Sequence, residues 1–283
     1  MIADPAVDPR YRHLPPEKIR EHFVVEKELR RRLLQTSSHE RPLVFQQVYA
    51  ELFERIPWHP AIAEVRSGPD PTVVRKKGRA WPALIGSPPR SVLEIGSGAG
   101  ELLIALAEEG YRCVGIDVEP SRVEALRRYG GGLFEVVHGD GTFPAFPDGS
   151  FDIVISQQVC EHLHPDDALA HLAAVRRILR KGGSYFLETP NPLVGPHDVS
   201  RFFVRVGRSA EGLHLREYPV REMTTMFRHA GFSKVDVILW RSRRVGERKA
   251  EFLERIWKYL PPRVRIRHTM GLHNPVYCGK RLT

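Results

Sequence analysis

The 283-residue sequence predicts an α/β fold in which a parallel sheet carries helices on both faces. From residue 91 onward, short apolar runs alternate with longer amphipathic segments, as expected for parallel strands that are joined by helices. A glycine-rich loop, Gly96 to Gly100, directly follows the first of these apolar runs. Residues 1–90 do not share the alternation, so we expect them to form a separate helical extension.

The composition is that of a soluble globular protein. Hydrophobic residues make up 42% of the chain and charged residues 27%. The three cysteines form no CxxC pair, which argues against a disulfide framework and a structural zinc site and predicts a cytoplasmic location. The stretch 1–16 is rich in Asp, Pro and Arg, so no signal peptide is expected, and no apolar run is long enough to span a bilayer.

The formal net charge of +9 is concentrated at one end of the chain. Residues 241–283 contain 12 Lys and Arg against 3 Glu, so the first 240 residues are neutral. This distribution predicts a neutral body with one basic segment, rather than a general nucleic-acid binder.

The N-terminal extension is predicted to contain at least two helices. The first is expected at 15–34, where two prolines precede an amphipathic run. A capping box formed by Ser37 and Glu40 predicts the start of the second. The apolar face of this second helix consists of Phe45, Val48, Tyr49, Leu52 and Phe53. We expect the extension to cover the active site or to form a subunit contact.

Between residues 91 and 189, five strands and three helices are predicted. The strands are expected at 92–95, 111–117, 134–138, 151–156 and 184–189. The helices are expected at 101–109, 120–129 and 165–179. Further along, the predicted elements are a helix at 220–229, a strand at 234–240 and a last strand near 274–281.

Residues 241–272 form a basic insert before the last strand. A short helix is expected within it, with one face formed by Phe252, Leu253, Ile256, Trp257 and Leu260. Three interpretations stay open: a lid or clamp on an anionic substrate, docking to a membrane surface, and a packing or dimer contact with solvated arginines.

The glycine loop is placed to bind a ligand, because such sheets bind ligands beyond the carboxyl ends of their strands. A dinucleotide site would need a small residue at position 101, where Glu101 stands, and no P-loop pattern is present. The G-x-G-x-G spacing is instead typical of a loop around an amino acid and a nucleoside without phosphate.

Two carboxylates follow the next strand ends. Asp117 closes the second strand, where it can accept hydrogen bonds from both hydroxyls of a ribose. Asp140 follows the third strand and is placed to accept the exocyclic amine of an adenine, with Gly141 leaving room for the ring. These positions predict a nucleoside site at the same edge of the sheet.

Five motifs in order carry a resemblance to a known family. They are EIGSGAG (94–100), GID (115–117), GDG (139–141), FPDGSFDIVISQQVCEHL (146–163) and ILRKGGSYFLETPNP (178–192). Together they resemble the class I S-adenosylmethionine-dependent methyltransferases, most of all the small-molecule O-methyltransferases of quinone and natural-product pathways. The resemblance runs from about residue 91 to 240 and resumes at the last strand.

The resemblance implies a Rossmann-like, seven-stranded, mostly parallel sheet with an antiparallel last strand, in a domain at 91–283 that binds S-adenosyl-L-methionine. It assigns the glycine loop to the methionine part of the cofactor, Asp117 to the ribose and Asp140 to the adenine. The cofactor-binding residues are expected to be Glu94, Gly96, Ser97, Gly98, Gly100, Asp117, Val118, Asp140, Gly141 and Gln157.

The implied reaction is methyl transfer, expected at an oxygen atom, which requires alignment of the nucleophile and removal of its proton. His162 is the first candidate base, because it follows the fourth strand at the rim of the site. His214 is the second candidate and His197 a third. Ubiquinone-type enzymes carry a Glu-x-x-Glu-His stretch that can hold a metal, but Gln158 stands at its first position here, so no required metal is expected.

The expected acceptor is a small molecule or a sugar- or lipid-linked intermediate, with an anionic acceptor as one option. An RNA methyltransferase that uses the basic insert, and a cofactor-binding protein without catalysis, are the alternatives. Nucleic-acid binding is not favoured, while a peripheral membrane contact through 241–272 and a homodimer are both compatible with the sequence.

Overall fold

The computed structural model describes residues 2–239, 243–260 and 275–282. Its strands are β1 (Ser91–Ile95), β2 (Arg112–Asp117), β3 (Glu135–His138), β4 (Phe151–Gln157), β5 (Leu179–Glu188), β6 (Lys234–Leu239), β7 (Arg243–Gly246) and β8 (Val276–Lys280). They form one sheet in the order β3-β2-β1-β4-β5-β8-β6-β7. Strands β1 to β5 pair in parallel, whereas β8 runs antiparallel to both β5 and β6, and β7 runs antiparallel to β6.

The predicted α/β fold with an antiparallel end is confirmed, but the sheet has one strand more than the seven expected. The additional strand, β7, lies in the basic insert and pairs with the outer edge of β6. Its sequence RRVG contains a single large apolar residue, so it shows no alternation of apolar and polar side chains. An edge strand of this kind is formed by backbone pairing and cannot be recognised from the pattern of side chains.

The helices are α1 (Pro16–Gln35), α2 (Arg41–Arg55), α3 (Pro60–Ser67), α4 (Pro71–Ala80), α5 (Pro82–Ile85), α6 (Glu101–Glu108), α7 (Pro120–Gly130), α8 (Pro165–Ile178), α9 (Val220–His229) and α10 (Glu247–Trp257). The predicted capping box at the start of α2 is not formed. Ser37 donates to the side chain of Glu40, and Glu40 has helical backbone angles without a side-chain cap. Helices α3, α4 and α5 occupy the segment 57–90, where the sequence showed no readable pattern.

Both faces of the sheet are covered, as predicted. On one face, α8 packs over β5, α9 over β6 and β8, and α10 over β6 and β7, with Leu172 and Phe227 fully buried. On the other, α5 and α6 pack over β1 and β2, with Leu102 and Leu103 fully buried. No helix in the described part of the chain has both the length and the hydropathy needed to cross a membrane.

Helices α1 and α2 have a core of their own, which they share with residues 213–215 from the segment between β5 and α9. Arg41 at the start of α2 forms a bidentate ion pair with Asp167 of α8, at 2.6 and 2.7 Å. These contacts hold the N-terminal extension over the carboxyl ends of the strands.

Candidate active site

A cavity of about 400 Å³ lies at the carboxyl ends of β1, β2 and β4, beneath helices α2, α3 and α4. Its sheet side is formed by strand ends and by the loops that follow them. Its helix side is formed by Phe45, Tyr49, Phe53, His59 and Lys77. The N-terminal extension therefore lines the cavity, and a subunit contact through the extension stays a prediction.

Nine of the ten expected cofactor residues line this cavity. The exception is Gly100, which begins α6 with a φ of +86° and where a Cβ would lie 2.7 Å from Leu126 Cδ2. Gly98 has a φ of +54°, and a Cβ at this position would meet no protein atom within 4 Å. Gly100 is thus required by packing, whereas Gly98 leaves space on the side where a ligand would lie.

Gly141 lines the cavity, and packing against β1 also explains why no larger residue stands at this position. A Cβ at this position would lie 2.5 Å from Ile95 Cγ2 of β1. The neighbouring Asp140 accepts the backbone N–H of Thr142 through Oδ1 at 2.7 Å, which fixes the turn after β3. Close packing against β1 therefore demands a glycine here, whether or not an adenine ring lies above it.

Among the residues that line the cavity, two buried oxygen atoms have no hydrogen-bond partner: Glu94 Oε2 and Gln157 Oε1. Burial raises the pKa of Glu94 to about 8. The amide of Gln157 is held by donation from its Nε2 to Glu188 Oε2 at 2.7 Å, so its oxygen is left without a partner. Buried polar groups of this kind require a partner, and a ligand ammonium group would supply one to both.

A cation lies at the same end of the cavity. Lys77 of α4 lines the cavity and approaches Glu101 at 3.9 Å, which is the outer limit of an ion pair. Because its ammonium group is only loosely paired, Lys77 is suited to a ligand carboxylate. Together with Glu94 and Gln157, it fits the amino-acid end of S-adenosylmethionine.

Asp117 ends β2 and is buried at the cavity wall. Its Oδ1 accepts the backbone N–H of Glu119 at 3.0 Å. Burial raises the pKa of this carboxyl group, and the positive charge of Arg122 opposes the increase. The position at the end of the second strand matches the one expected for a ribose-binding carboxylate.

His162, the first predicted base, lines the cavity next to α2. Its Nδ1 lies 3.1 Å from the carbonyl oxygen of Leu213 and 3.0 Å from the hydroxyl of Tyr49. A carbonyl can only accept, so the proton is on Nδ1 and Nε2 keeps its lone pair. Burial, together with the charge of His214, lowers the pKa of His162 to about 3, so the imidazole is neutral at physiological pH.

His214, the second predicted base, lies beside His162 but does not line the cavity. Its Nδ1 donates to Glu217 Oε1 at 2.9 Å. Burial opposes the charged form, but the hydrogen bond to Glu217 and the charges of Asp198 and Glu161 prevail and raise the pKa of His214 to about 9. A protonated imidazole cannot accept a proton, so His214 is suited to positioning rather than to base catalysis.

His197, the third candidate, also contacts Glu217. Its backbone N–H donates to Glu217 Oε1 at 2.7 Å, and its Nδ1 lies 3.2 Å from Oε2. Both histidines lower the pKa of Glu217 against the effect of burial. The segment between β5 and α9 is therefore held together by a buried carboxylate between two histidines.

The sequence did not identify the aromatic residues of α2 as site residues. Phe45, Tyr49 and Phe53 were assigned to an apolar helix face, and that face proves to form the roof of the cavity. Adjacent rings lie 4.8 and 6.1 Å apart. The sequence offered one indication of this role, a tyrosine on an otherwise apolar helix face. A buried hydroxyl needs a hydrogen-bond partner, and that of Tyr49 contacts His162.

Arg122, in the first turn of α7, is a second site residue that the sequence did not reveal. Its guanidinium carbon lies 5.7 Å from the centre of the Phe53 ring, and its Nε is buried without a hydrogen bond. No ion pair of Arg122 is formed within the described residues. The cavity therefore contains a guanidinium group under its aromatic roof that has a free buried N–H and no ion-pair partner in the part of the chain that the structure describes.

Glu161, His162 and His214 bring one potential metal ligand each within 4.8 Å of one another. Glu161 is buried, which raises its pKa to about 7, and Thr189 donates to it at 2.9 Å. A metal would require ionised Glu161 and unprotonated His214, so its binding would have to displace the proton of His214. The expectation that no metal is required stays a prediction.

A second group, His22, Glu26 and His59, lies under α1. His22 Nε2 donates to Glu26 Oε1 at 2.8 Å, and Glu26 also accepts the backbone N–H of Leu213 at 3.0 Å. His59 Nδ1 accepts the backbone N–H of Ala61, so His59 Nε2 must keep its proton. This group is therefore a hydrogen-bonded link between α1, α3 and the segment before α9.

Comparison with known proteins identifies the domain that carries the cavity. The model of the family described as "Methyltransferase domain" matches residues 93–187. A probable S-adenosylmethionine-dependent methyltransferase of Mycolicibacterium smegmatis is 32% identical over 152 residues, which are 53% of this chain and 54% of the relative. Nocamycin O-methyltransferase of Saccharothrix syringae is 40% identical over 130 residues, 43% of this chain and 45% of that protein.

A ubiquinone biosynthesis O-methyltransferase of Xanthomonas campestris is 33% identical over 115 residues, 38% of this chain and 46% of that protein. The chain thus spans about half the length of the relatives it matches. The structure of 1,6-didemethyltoxoflavin-N1-methyltransferase from Burkholderia thailandensis, with S-adenosylhomocysteine bound, superimposes with a TM-score of 0.55. The two chains are 18% identical, and the superposition covers 88% of this chain and 92% of the Burkholderia chain. At this level of identity the likeness supports the fold. Residues 93–187 are therefore a domain of the S-adenosylmethionine-dependent methyltransferase family.

Proposed function

We propose that this chain transfers a methyl group from S-adenosylmethionine to an oxygen atom of a small-molecule, sugar-linked or lipid-linked acceptor. The observation that carries the proposal is the arrangement of one cavity. Unpartnered acceptors and carboxylates lie on its sheet side, and a neutral histidine from the loop after β4 lies beneath the aromatic rings of its helix side.

The sheet side, together with Lys77 from the helix side, would hold the cofactor. Glu94 and Gln157 would accept hydrogen bonds from the ammonium group, and Lys77 would pair with the carboxylate. Asp117 would bind the ribose hydroxyls and Asp140 the adenine amine. When bound, the cofactor supplies an electrophilic methyl group on a sulfonium, whose leaving group is neutral.

His162 and the aromatic helix side above it would bind and orient the acceptor. His162 would accept a hydrogen bond from the acceptor hydroxyl at Nε2, because Nδ1 carries the proton. Burial and the neighbouring charge of His214 disfavour an imidazolium, so removing the proton of a weakly acidic alcohol is difficult. The arrangement therefore favours an acidic hydroxyl, such as that of a phenol, an enol or a carboxylic acid.

The aromatic roof would exclude water and select for shape. Phe45, Tyr49 and Phe53 offer flat surfaces against which a planar acceptor can pack. Arg122 would stabilise an anionic acceptor, because its Nε is buried without a hydrogen-bond partner within the described residues. The names of two relatives, nocamycin O-methyltransferase and ubiquinone biosynthesis O-methyltransferase, support oxygen as the methylated atom.

The proposal is tested by label transfer. The purified chain is incubated with methyl-labelled S-adenosylmethionine and a host extract, which is then separated into small-molecule, lipid, protein and RNA fractions. We expect label in the small-molecule or lipid fraction, on an oxygen atom by mass analysis. The control is the Asp117→Asn variant, which should give much less label.

Label in RNA or protein would overturn the proposed acceptor class. Absence of label in every fraction, with cofactor binding confirmed by calorimetry, would overturn catalysis itself and leave a binding protein.

A further inference from the structure

The exposed face of α10 differs in composition from the face that packs on the body. The predicted common apolar face of this helix is not observed. Trp257 and Ala250 are buried, with Leu253 and Leu260 packed beside them. Phe252 and Ile256 point to solvent instead, with exposed fractions of 60% and 45%. Phe252 and Ile256 are four residues apart, and so are Leu253 and Trp257, one position further along the chain. In the sequence the two pairs resemble a single apolar face.

The outward face combines apolar side chains with cations. Phe252, Ile256 and the adjacent Tyr259, which is 83% exposed, lie on the same side at spacings of four and three residues. The exposed cations around them are Arg248, Lys249, Arg255 and Lys258. None of these four forms an ion pair with another described residue. We call these seven residues the basic aromatic face.

The acidic residues of α10 all face the protein body. Glu247 pairs with Arg228 at 3.2 Å, and Glu251 accepts from Thr224 at 2.9 Å. Glu254 accepts from Asn191 at 2.6 Å and from the backbone of Val220 at 2.9 Å. The three carboxylates of the helix are thus half-buried against the body, whereas its cations are exposed and form no ion pair with the described residues. The chain that follows, residues 261–274, adds three arginines and no acidic residue.

We propose that the basic aromatic face binds the surface of a membrane that contains anionic lipids. Phe252, Ile256 and Tyr259 would enter the boundary between headgroups and acyl chains, and the surrounding cations would contact the phosphates. The anionic headgroups complement the charge of the cations, and the acyl chains cover the apolar side chains.

Two other partners fit the face less well. In a symmetric contact with a second copy, the same cations would face each other and repel. RNA would satisfy the cations, and its bases would stack on Phe252 and Tyr259, but it would leave Ile256 without an apolar partner. An anionic membrane surface satisfies both the charges and the apolar groups.

The test is sedimentation of the full chain with vesicles of phosphatidylcholine alone and of phosphatidylcholine mixed with phosphatidylglycerol, at low and high salt. We expect binding to the anionic vesicles that weakens with salt. The variant R248Q/R255Q/K258Q should reduce the partition coefficient roughly a hundredfold, and F252S/I256S roughly tenfold. L43S is the matched control, because Leu43 is 61% exposed on α2 and should leave binding unchanged.

Equal binding to both vesicle types, or no binding to either, would overturn the proposal. Sedimentation velocity tests whether the chain forms a dimer, and titration with an RNA oligonucleotide tests whether it binds RNA. A dimer that F252S/I256S dissociates, or RNA binding that R248Q/R255Q/K258Q abolishes without any vesicle binding, would also overturn it. None of these measurements depends on methyl transfer, so they are independent of the proposed function.

Discussion

The imidazole rings of His162 and His214 lie 4.8 Å apart, centre to centre, and cross at 89°. Their protonation states are nevertheless opposite. His214 is held protonated by Glu217, whereas His162 is kept neutral by burial and by the adjacent positive charge. One histidine therefore sets the chemistry available to the other, and only His162 lines the cavity.

The first prediction concerns the pH dependence of folding. The pKa of His214 is raised from 6.5 to about 9, so its stabilising contribution is complete below pH 6.5 and is lost as the pH rises through 9. The difference in unfolding free energy between wild type and His214→Gln should therefore shrink by roughly 3 kcal/mol across this range. Urea unfolding at several pH values measures it. The exposed His39 supplies the control variant, His39→Gln, and a pH-independent difference for His214→Gln would contradict the assignment.

The second prediction separates His162 from its neighbour Tyr49. His162→Ala should lower kcat by roughly a hundredfold with the natural acceptor, because the group that orients the nucleophile is lost. Tyr49→Phe removes one of the two oxygen atoms that accept the Nδ1 proton, while the Leu213 carbonyl still holds the tautomer, so its kcat should fall by less than about tenfold.

Cofactor affinity is the internal control for both variants. The dissociation constant of S-adenosylhomocysteine should change by less than about twofold in either. A large loss of cofactor affinity in His162→Ala, with kcat preserved, would place this histidine on the cofactor instead of the acceptor.

The third prediction concerns Asp117. Asp117→Asn removes the charge that two ribose hydroxyls would share, so S-adenosylhomocysteine should bind at least about tenfold more weakly, as followed by calorimetry. Asp148→Asn is the matched control, because Asp148 is an exposed aspartate paired with Arg177 on the surface. Unchanged affinity in Asp117→Asn would show that this carboxylate only caps the turn through the backbone of Glu119.

The sheet and the strand-end residues could be predicted because they depend on short-range patterns. The glycine loop directly follows the buried strand β1, Asp117 ends β2, and Asp140 lies two residues after β3, so position along the chain determines position at the sheet edge. Helix α9 was also predicted with its observed bounds, Val220–His229, since it is strongly amphipathic.

The helix side of the cavity could not be predicted, because it depends on contacts between residues far apart in the sequence. Tyr49 and Lys77 reach it from separate helices whose placement depends on long-range contacts, such as the ion pair of Arg41 with Asp167 across 126 residues. On α10, the sequence shows that Phe252 and Trp257 are both apolar, but only the packing against α9 decides which of them is buried.

The fourth prediction concerns Arg122 and distinguishes acceptor binding from cofactor binding. Arg122→Gln should raise KM for an anionic acceptor by about tenfold or more, because a charged hydrogen bond is lost. The dissociation constant of S-adenosylhomocysteine should stay within about twofold of wild type. Arg128→Gln is the matched control on the same helix. The guanidinium carbon of Arg128 also lies near an aromatic ring, 5.2 Å from the centre of Tyr129, but Arg128 is exposed and does not line the cavity.

Arg122→Lys provides the second comparison. A lysine keeps the charge but loses the planar guanidinium that lies over Phe53, so it should restore part of the acceptor affinity. If Arg122→Gln instead weakens the cofactor and leaves the acceptor KM unchanged, the positive charge belongs to the cofactor side. The aromatic roof would then select acceptors by shape alone, and neutral planar molecules would be methylated as well as anionic ones.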